Sequence, residues 1–299
     1  MQSEKNKAAY AMSLGRRMAR LGEGWMMVGH APGERAGLWA KAALLGGCEA
    51  GAKLFELGEV SRPVFQFAMA ITRSRGGIYI NGGERPTVQL LGELGLPLSQ
   101  SEEQLLRPLA KREDPVLLGR QERLSGLWEM YCSRLHRMAG EGLKGSSCVL
   151  RCGNPILQRQ AREVLSSLGC QLLQGPVLWL NNTGERLAAF TPDGEIIPYH
   201  QLVERAGRLS LAKGHPVALP EDLSSRLGSS ALVLRYSTRP AAITPDQRKA
   251  RELAAQQLWE RDGLMLAVLL LCNQHCGSLD PLPENKLWHP TVGGISSLS

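Results

Sequence analysis

The first part of the chain alternates amphipathic stretches with short apolar runs. Residues 8–21 place Tyr10, Leu14, Met18 and Leu21 on one face at helical spacing, which predicts an amphipathic helix. The elements that follow are predicted as a strand over 26–29, a helix over 38–51, a strand over 53–57, a helix over 63–73 and a strand that begins at Ile78. Strands that alternate with helices in this order predict a parallel sheet with crossover helices.

A second unit of the same kind is predicted in the middle of the chain. Residues 92–120 are less regular, with one short helix for which Ser101 is the expected N-cap, and a helical pattern follows over 121–139. Beyond it we predict a strand over 148–152, a helix that opens at Asn154 and ends before Gly169, strands over 177–180 and 187–190, a turn at Thr191-Pro192-Asp193-Gly194 and a strand over 195–197. A boundary between the two units is expected close to Gly119.

The pattern weakens from about residue 205. A strand is predicted over 231–235, and Thr244-Pro245-Asp246-Gln247 predicts the capped start of a long helix, with the threonine as N-cap and the proline at the first helical position. The apolar run over 264–272 is too short to span a bilayer and is typical of a buried helix. The stretch after residue 276 is rich in Pro, Gly and Ser, so we expect it to be loosely ordered.

These patterns together predict an α/β fold of tandem α/β/α domains with mixed, mostly parallel sheets. We expect two full domains over 1–119 and 120–204, a reduced third over 205–276 and a flexible tail over 277–299. The chain has 299 residues, 43% hydrophobic and 21% charged, which is enough for cores of this size and ordinary for a globular protein.

The net charge of +7 permits anionic partners such as phosphosugars, nucleic acid or a membrane surface. The Lys and Arg residues are scattered without a long run, which favours an evenly solvated surface over a basic binding patch. Only four Phe and five Tyr are present, and this argues against a protein that binds single-stranded nucleic acid by stacking bases on aromatic rings.

Seven cysteines are present, an odd number without the tight spacing of a disulfide scaffold. The first residues are polar and show no apolar signal segment, so we expect reduced thiols and a cytoplasmic location. Cys148 with Cys152, and Cys272 with His275 and Cys276, have spacings that resemble metal ligands, but buried structural thiols are the favoured interpretation.

A glycine-rich loop follows the predicted strand at Ile78. It reads Asn81-Gly82-Gly83-Glu84-Arg85, and nothing at its centre is an obvious nucleophile. Two interpretations remain open: a backbone nest that binds an anion with the help of Arg85, and a tight turn with a surface ion pair between Glu84 and Arg85. The turn is favoured because two glycines already suffice for it.

The order of these segments resembles the α-D-phosphohexomutase superfamily, the phosphoglucomutase and phosphomannomutase enzymes. The residues that carry the resemblance are Val28-Gly29-His30 with Arg35, residues 51–58, Ser61-Arg62-Pro63-Val64, Gly77-Ile78-Tyr79-Ile80, residues 178–186 with the hairpin after them, and Asp262-Gly263-Leu264. The resemblance spans about residues 8–275 and implies phosphohexomutase-like α/β/α domains, Mg²⁺ as cofactor and a sugar phosphate as substrate.

The positions that the resemblance assigns to the family's catalytic and metal-binding residues carry other residues in this chain. Gly83 stands where the family carries its phosphoserine, and the family's following lysine falls near Gln89. The three aspartates of the family's metal loop correspond to Asn181, Thr183 and Glu185. One carboxylate and two neutral side chains are a poor ligand set for Mg²⁺, so we expect no bound cofactor.

The sugar-binding and phosphate-binding parts that the resemblance implies are also altered. Residues 235–239 stand at the sugar loop and keep only its serine, Ser237, while Arg235 reverses the charge of the family's glutamate. Arg186 is retained after the metal loop. The family's fourth domain and its first motif have no counterpart in the sequence, so the resemblance is to a shortened relative.

The resulting hypothesis is a non-catalytic relative of these mutases that acts as a binding or regulatory module. Its candidate ligand-binding residues are Arg85, Arg186 and Ser237, its candidate partners are another protein, a second copy of the chain or a sugar phosphate, and no membrane is expected. Two alternatives stay open: an active sugar-phosphate mutase or phosphatase with altered site residues, and a protein that binds anions or nucleic acid through its positive charge.

Overall fold

A computed structural model describes residues 2–107, 118–140, 142–190, 194–223, 227 and 230–273. Contacts divide the chain into two compact units, Met1–Trp128 with Tyr236–Gln256, and Glu129–Arg235 with Gln257–Ser299. The predicted turn at Thr191-Pro192-Asp193, the pair His275 and Cys276, and the predicted tail lie outside the described residues. The domain boundaries predicted at 119 and 204 stay predictions.

The first unit alternates helices and strands as the apolar pattern predicts. Its elements are α1 (Gln2–Leu21), β1 (Trp25–His30), α2 (Glu34–Glu49), β2 (Lys53–Glu59), α3 (Arg62–Thr72), β3 (Gly77–Asn81), β4 (Thr87–Leu91), a 3₁₀ turn (Glu93–Gly95), α4 (Gln100–Leu105) and β5 (Arg120–Arg123). The strands form one sheet in the order β4-β3-β1-β2-β5, in which only β4 is antiparallel to its neighbour. This sheet confirms the predicted mixed, mostly parallel α/β class.

Helices cover the central strands of this sheet, so their side chains are buried. Met26 and Val28 of β1, Leu54 of β2, and Ile78 and Ile80 of β3 are all fully buried. Apolar runs of this kind, without polar alternation, are what a parallel sheet covered on both faces requires.

Close backbone contact between α1 and α2 depends on glycine. A Cβ added to Gly46 of α2 would overlap the carbonyl oxygen of Met12, and one added to Gly15 of α1 would overlap the carbonyl oxygen of Ala43. The two helix backbones therefore touch at both places, which a side chain at either glycine would prevent.

The second unit contains a smaller sheet. Its elements are α5 (Leu127–Ala139), β6 (Val149–Cys152), α6 (Pro155–Ser167), β7 (Val177–Leu180), β8 (Leu187–Phe190), β9 (Ile196–Ile197), α7 (Tyr199–Ala212), β10 (Val217–Pro220) and β11 (Val233–Tyr236), then, after α8 (Pro245–Gln257), α9 (Gly263–Cys272). One sheet has the order β6-β7-β8-β9, parallel only between β6 and β7, and β10 pairs with β11. The buried helix predicted over 264–272 is confirmed as α9.

Helix α8 belongs almost wholly to the first unit, where a buried arginine anchors it. The Arg251 guanidinium donates to the carbonyl oxygens of Ser237 at 3.2 Å and Pro97 at 2.5 Å. The predicted N-cap is confirmed, because the Thr244 Oγ1 accepts a hydrogen bond from the Gln247 backbone N–H at 3.3 Å.

Three predictions at the level of single elements are wrong. The N-cap of α4 is Ser99 and not Ser101: its Oγ accepts from the Glu102 N–H at 3.2 Å, and the Glu102 carboxylate accepts from the Ser99 N–H at 2.7 Å, a complete capping box. Helix α2 begins at Glu34, before the predicted start, directly after Gly33. Residues 120–123 form the strand β5 and not the beginning of a helix.

Elements that the sequence did not reveal lie where its pattern was weak. Strand β4, helix α7 and strand β10 were not predicted, and α7 is regular over fourteen residues. No helix in the described part of the chain is both long and apolar enough to cross a membrane.

The contact between α1 and α2 generates a first prediction. We expect Gly46→Ala to lower the free energy of unfolding by about 2 kcal/mol or more, because its methyl group overlaps backbone that cannot move aside like a side chain. Gly37→Ala in the same helix is the matched control: its Cβ would lie 3.5 Å from the His30 ring, an ordinary contact, so we expect it to be neutral or stabilising by about 0.5–1 kcal/mol. Urea denaturation measures both variants, and equal effects would contradict the close approach of the two helices.

Candidate functional site

The order of strands in the first sheet locates a loop cluster. The chain passes from β1 to β2 on one side of β1 and then to β3 on the other side. The connections therefore leave the carboxyl ends of β1 and β3 in opposite directions, and open α/β sheets bind ligands at such a point. The loop after His30 and the loop after Asn81 both lie there.

These two loops contact each other directly. The Ala31 N–H donates to the Ile80 carbonyl oxygen at 2.8 Å, and the Arg35 guanidinium donates to the Glu84 carbonyl oxygen at 2.9 Å. A Cβ added to Gly82 would lie 2.9 Å from the Pro32 carbonyl oxygen. Glycine at position 82 thus allows the two backbones to approach.

The loop that the resemblance aligns with a phosphoserine loop is the turn of the β3–β4 hairpin. The Asn81 side-chain amide donates to the Thr87 Oγ1 at 3.0 Å and closes the hairpin at its base. Gly83 has φ +105°, and Gly83, Glu84 and Arg85 are all exposed. The loop contact that sequence reasoning missed is that of Arg35, which bonds the Glu84 backbone.

Gln89, which the resemblance sets at the family's lysine, lies in β4 opposite Tyr79. Its side-chain carbonyl oxygen is buried and accepts no hydrogen bond from any residue that the structure describes. An amide at this position supplies no positive charge.

In the second unit, the loop that resembles a metal site connects β7 and β8. Its side chains bond one another: the Asn181 amide donates to the Thr183 hydroxyl, which donates to the Glu185 carboxylate, both at 3.0 Å. The Asn181 Oδ1 accepts from the Arg186 backbone N–H at 3.0 Å, and the Arg186 carbonyl accepts from the Asn181 N–H at 3.0 Å. The structure thus brings together all four residues that the sequence assigned to this loop.

This donor set does not fit Mg²⁺. Magnesium requires several oxygen ligands in octahedral geometry, and carboxylates offset the cost of removing its water. Here the Asn181 oxygen already accepts a backbone hydrogen bond, and the Thr183 oxygen is engaged with both of its neighbours. Within the described ranges, no group of three or more His, Cys, Asp or Glu side chains is arranged to hold a metal ion.

Arg186 follows this loop, and its guanidinium lies 5.7 Å from the centre of the Tyr199 ring. That distance is within the range of a cation–π contact, which fixes the side chain against helix α7. Tyr199 in turn donates through its hydroxyl to the Glu260 carbonyl oxygen. The retained arginine therefore has a structural contact of its own.

The segment that the resemblance aligns with a sugar loop, residues 235–239, is bonded to its surroundings. The Arg235 guanidinium donates to the carbonyl oxygens of Pro220 and Leu223, each at 3.3 Å. The Ser237 N–H donates to the Gln247 side chain at 2.8 Å, and Arg239 forms an ion pair with Glu103. Backbone and side-chain contacts thus hold this segment in place.

The cysteines proposed as alternative metal ligands have separate surroundings. Cys148 and Cys152 are both buried, and the Cys152 Sγ lies 3.6 Å from the Asn181 carbonyl oxygen. Cys148 instead contacts Cys170, a neighbour that the spacing of cysteines in the sequence did not suggest.

Asp262 is a buried carboxylate whose pKa is shifted, as is common for residues of functional sites. It caps α9: its Oδ1 accepts from the backbone N–H groups of Leu264 and Met265, both at 3.0 Å, and its Oδ2 accepts from the Tyr131 hydroxyl at 2.7 Å. Burial raises the pKa of Asp262 from its ordinary 3.8 to about 6, with a smaller contribution from the Glu185 charge, although the three hydrogen bonds oppose the shift.

Asp262 should make stability depend on pH. Because its pKa is higher in the folded chain, folding retains a proton that the unfolded chain releases between about pH 4 and pH 6. Its contribution is full below this window and is lost as the pH rises through 6. We expect Asp262→Asn, which keeps an acceptor for the helix, to remove up to about 3 kcal/mol of the decline in unfolding free energy between pH 4 and pH 7.

Urea denaturation near both pH values measures this difference. Asp246→Asn is the control, since Asp246 is an exposed aspartate in the first turn of α8, and we expect it to follow the wild type. If the wild type and Asp262→Asn show the same pH dependence, the buried carboxylate does not titrate as described.

Comparison with known proteins agrees with this architecture. No protein-family model matches the sequence, and no curated protein matches it significantly. Among solved structures, a phosphoglucomutase/phosphomannomutase family protein from Burkholderia thailandensis superposes with a TM-score of 0.69 at 17% identity, over 91% of this chain and 74% of that one. A candidate phosphomannomutase from Thermus thermophilus gives a TM-score of 0.63 at 20% identity, over 89% of this chain and 75% of that one. The chain therefore has the fold of the phosphoglucomutase and phosphomannomutase proteins.

Proposed function

We propose that this chain is a non-catalytic binding or regulatory module with a phosphohexomutase fold. The observation that carries the proposal is Gly83, in a left-handed conformation at the turn where the resemblance expects a phosphoserine. Covalent phosphoryl transfer needs a nucleophilic oxygen held in line with the phosphorus atom, and glycine has none.

The remaining side chains of this turn do not replace the missing hydroxyl group. Residues 82–86 include one oxygen-bearing side chain, the carboxylate of Glu84. Glu84 is exposed, and the contact that holds it in the loop is made through its backbone carbonyl, so its carboxylate is not positioned by the Arg35 hydrogen bond. Positioning is what phosphoryl transfer mainly requires of a protein.

The second loop supports the same proposal independently. A magnesium ion neutralises charge on the phosphoryl group and aligns it during transfer. The hydrogen-bonded series from Asn181 through Thr183 to Glu185 satisfies these side chains without a cation. We therefore propose that the chain binds no resident Mg²⁺.

A role in binding fits what is left at the carboxyl edge of the first sheet. Arg35 and Arg85 are exposed there, beside a glycine-rich turn. Arginine side chains beside the backbone N–H groups of a glycine-rich turn suit an anionic group such as a sugar phosphate. A cytoplasmic location is part of this proposal, since reduced thiols are usual there. In this proposal, binding of the anionic group changes how the chain contacts a protein partner or a second copy of itself, and no substrate is converted.

The proposal predicts that the protein forms no phosphoenzyme. After incubation with glucose-1,6-bisphosphate and Mg²⁺, we expect intact mass spectrometry to show no gain of about 80 Da, the mass of one phosphoryl group. We also expect no interconversion of glucose-1-phosphate and glucose-6-phosphate. An active phosphoglucomutase treated in parallel verifies the reagents.

A stable mass increase would overturn this proposal, and its location would show why. Hydroxylamine removes an acyl phosphate from a carboxylate but leaves a phosphoserine, so it distinguishes Glu84 from any serine. Loss of the signal in Glu84→Gln would make that carboxylate a nucleophile.

The loop between β7 and β8 yields a separate prediction. In the triple variant Asn181→Asp, Thr183→Asp, Glu185→Asp, three carboxylates replace the hydrogen-bonded series. We expect this variant to be less stable than the wild type without metal, and millimolar Mg²⁺ to raise its Tm by about 3 °C or more. The wild type should show no such rise.

Sodium chloride at equal ionic strength is the control, because general screening of repelling carboxylates would also stabilise the variant. A selective rise of Tm with Mg²⁺ in the wild type would contradict the assignment of this loop as a poor cation site. Thermal unfolding followed by circular dichroism is sufficient for the comparison.

A further inference from the structure

Two buried thiols in the second unit face each other. The Sγ atoms of Cys148 and Cys170 lie 3.7 Å apart, although the residues are 22 positions apart in the sequence. Cys148 is fully buried and Cys170 keeps 5% of its surface exposed. Two cysteines that only fill space in an apolar core would not need their sulfur atoms to be in contact, as these are.

Backbone hydrogen bonds fix this approach. An isolated parallel bridge joins Ser147 to Gln171, with the Cys148 N–H donating to the Gln171 carbonyl at 2.9 Å and the Gln171 N–H donating to the Ser146 carbonyl at 2.8 Å. Side chains alternate along such segments, so the residues beside the bridge, Cys148 and Cys170, share one face. Cys170 is held further by its own N–H, which donates to the Leu165 carbonyl at 3.0 Å.

We propose that Cys148 and Cys170 form a redox-active dithiol that a hydroperoxide oxidises to an intramolecular disulfide. A sulfur–sulfur bond is about 2.05 Å long, so closing it requires the two sulfurs to approach by rotation of the side chains and a small shift of the segment after α6. Gly169, with φ +89°, and the turn after Gln171 lie on that segment.

The two sulfurs have different roles in this oxidation. The hydrogen bond from the Cys148 thiol lowers the pKa of Cys170, and the same hydrogen bond, together with burial, raises the pKa of Cys148. Cys170 also keeps the greater exposure, so it is the sulfur that a small oxidant reaches as a thiolate.

The reaction proceeds in two balanced steps. The Cys170 thiolate attacks one peroxide oxygen, the O–O bond breaks, and a sulfenic acid and hydroxide form. The hydroxide takes up the proton that Cys170 released when it became a thiolate, which gives the first water. The Cys148 sulfur then attacks the Cys170 sulfur, the S–O bond breaks, and the hydroxide leaves with the Cys148 proton as a second water. Two thiols lose two electrons and two protons, and hydrogen peroxide is reduced to two waters.

Trypsin cuts the chain in a way that makes the proposal directly testable. Cys148 falls in the peptide 145–151, Cys152 in 152–159 and Cys170 in 163–186. The native full-length protein is treated with hydrogen peroxide, its remaining thiols are blocked, and the digest is analysed without reductant. We expect a linked pair of peptides 145–151 and 163–186, with a mass about 2 Da below their sum, that dithiothreitol separates.

Single-cysteine variants test the order of the steps. With Cys148→Ser, whose hydroxyl group can still donate to the Cys170 sulfur, we expect no linked peptides and a dimedone adduct of the Cys170 sulfenic acid. With Cys170→Ala, we expect neither a link nor an adduct at Cys148. Cys152→Ala is the matched control, because Cys152 is a buried thiol in β6, the strand directly after Cys148, and its sulfur contacts a backbone carbonyl. This variant should form the link as the wild type does.

Several results would overturn the proposal. A link between 152–159 and 163–186, a link between two chains, or oxidised Cys170 in the wild type with no link would each show that the dithiol does not close. The wild-type peptide map decides this without any variant, so a variant that fails to fold does not weaken the test.

Discussion

Hydrogen bonding on both sides of β1 is the constraint on which the first unit depends. Each residue of β1 pairs with β2 on one side, and most also pair with β3 on the other, so its backbone is satisfied without water. The residues at its centre, Met26, Met27 and Val28, are apolar and fully buried. A Cβ at Gly29 would lie 2.7 Å from the ring of Phe65, which shows how closely α3 covers this strand. Because β1 is central, the loops after β1 and β3 leave the sheet side by side. The location of the candidate loop cluster is thus a consequence of strand order, and Gly82 permits the close approach of its two backbones.

The positions that the resemblance aligns with the metal and sugar loops of the mutases make contacts that serve the fold. A loop of three aspartates keeps mutually repelling charges close together, and a bound cation offsets that repulsion. The amide and hydroxyl of Asn181 and Thr183 instead form donor–acceptor pairs that end on a single carboxylate, which removes the repulsion without an ion. Arg235 likewise donates to two carbonyl oxygens that would otherwise need other donors. These contacts stabilise the loop after β7 and the segment after β10 without any bound ion.

The sequence predicted those elements whose apolar pattern records their burial. Strands β1 and β3 and helices α3, α6 and α9 were found because their inward faces are apolar at the correct period. Strand β5, with the sequence Arg-Gln-Glu-Arg, has no apolar face, since it is an exposed edge strand that exists through pairing with β2. Ser101 was taken as an N-cap because serine caps helices generally, but the reciprocal bond with Glu102 selects Ser99. The resemblance placed Asn181, Thr183 and Glu185 in one loop, and their side chains bond one another there. The contact of Cys148 with Cys170 depends on one isolated bridge that no local pattern records.

Strand β6 connects the Cys148–Cys170 pair to the loop that begins at Asn181. Cys148 immediately precedes β6 and contacts Cys170, and Cys152 at the other end of the strand lies against the Asn181 carbonyl oxygen. Four residues of extended chain separate Cys148 from Cys152 by about 13 Å. Parallel pairing of β6 with β7 fixes where β7 ends and therefore where the Asn181 loop begins. A disulfide before Val149 would constrain the start of β6 and the end of α6 but would leave this pairing unchanged. Redox chemistry at one end of the strand is therefore compatible with the intact hydrogen-bonded loop at the other, since the β6–β7 pairing lies between them.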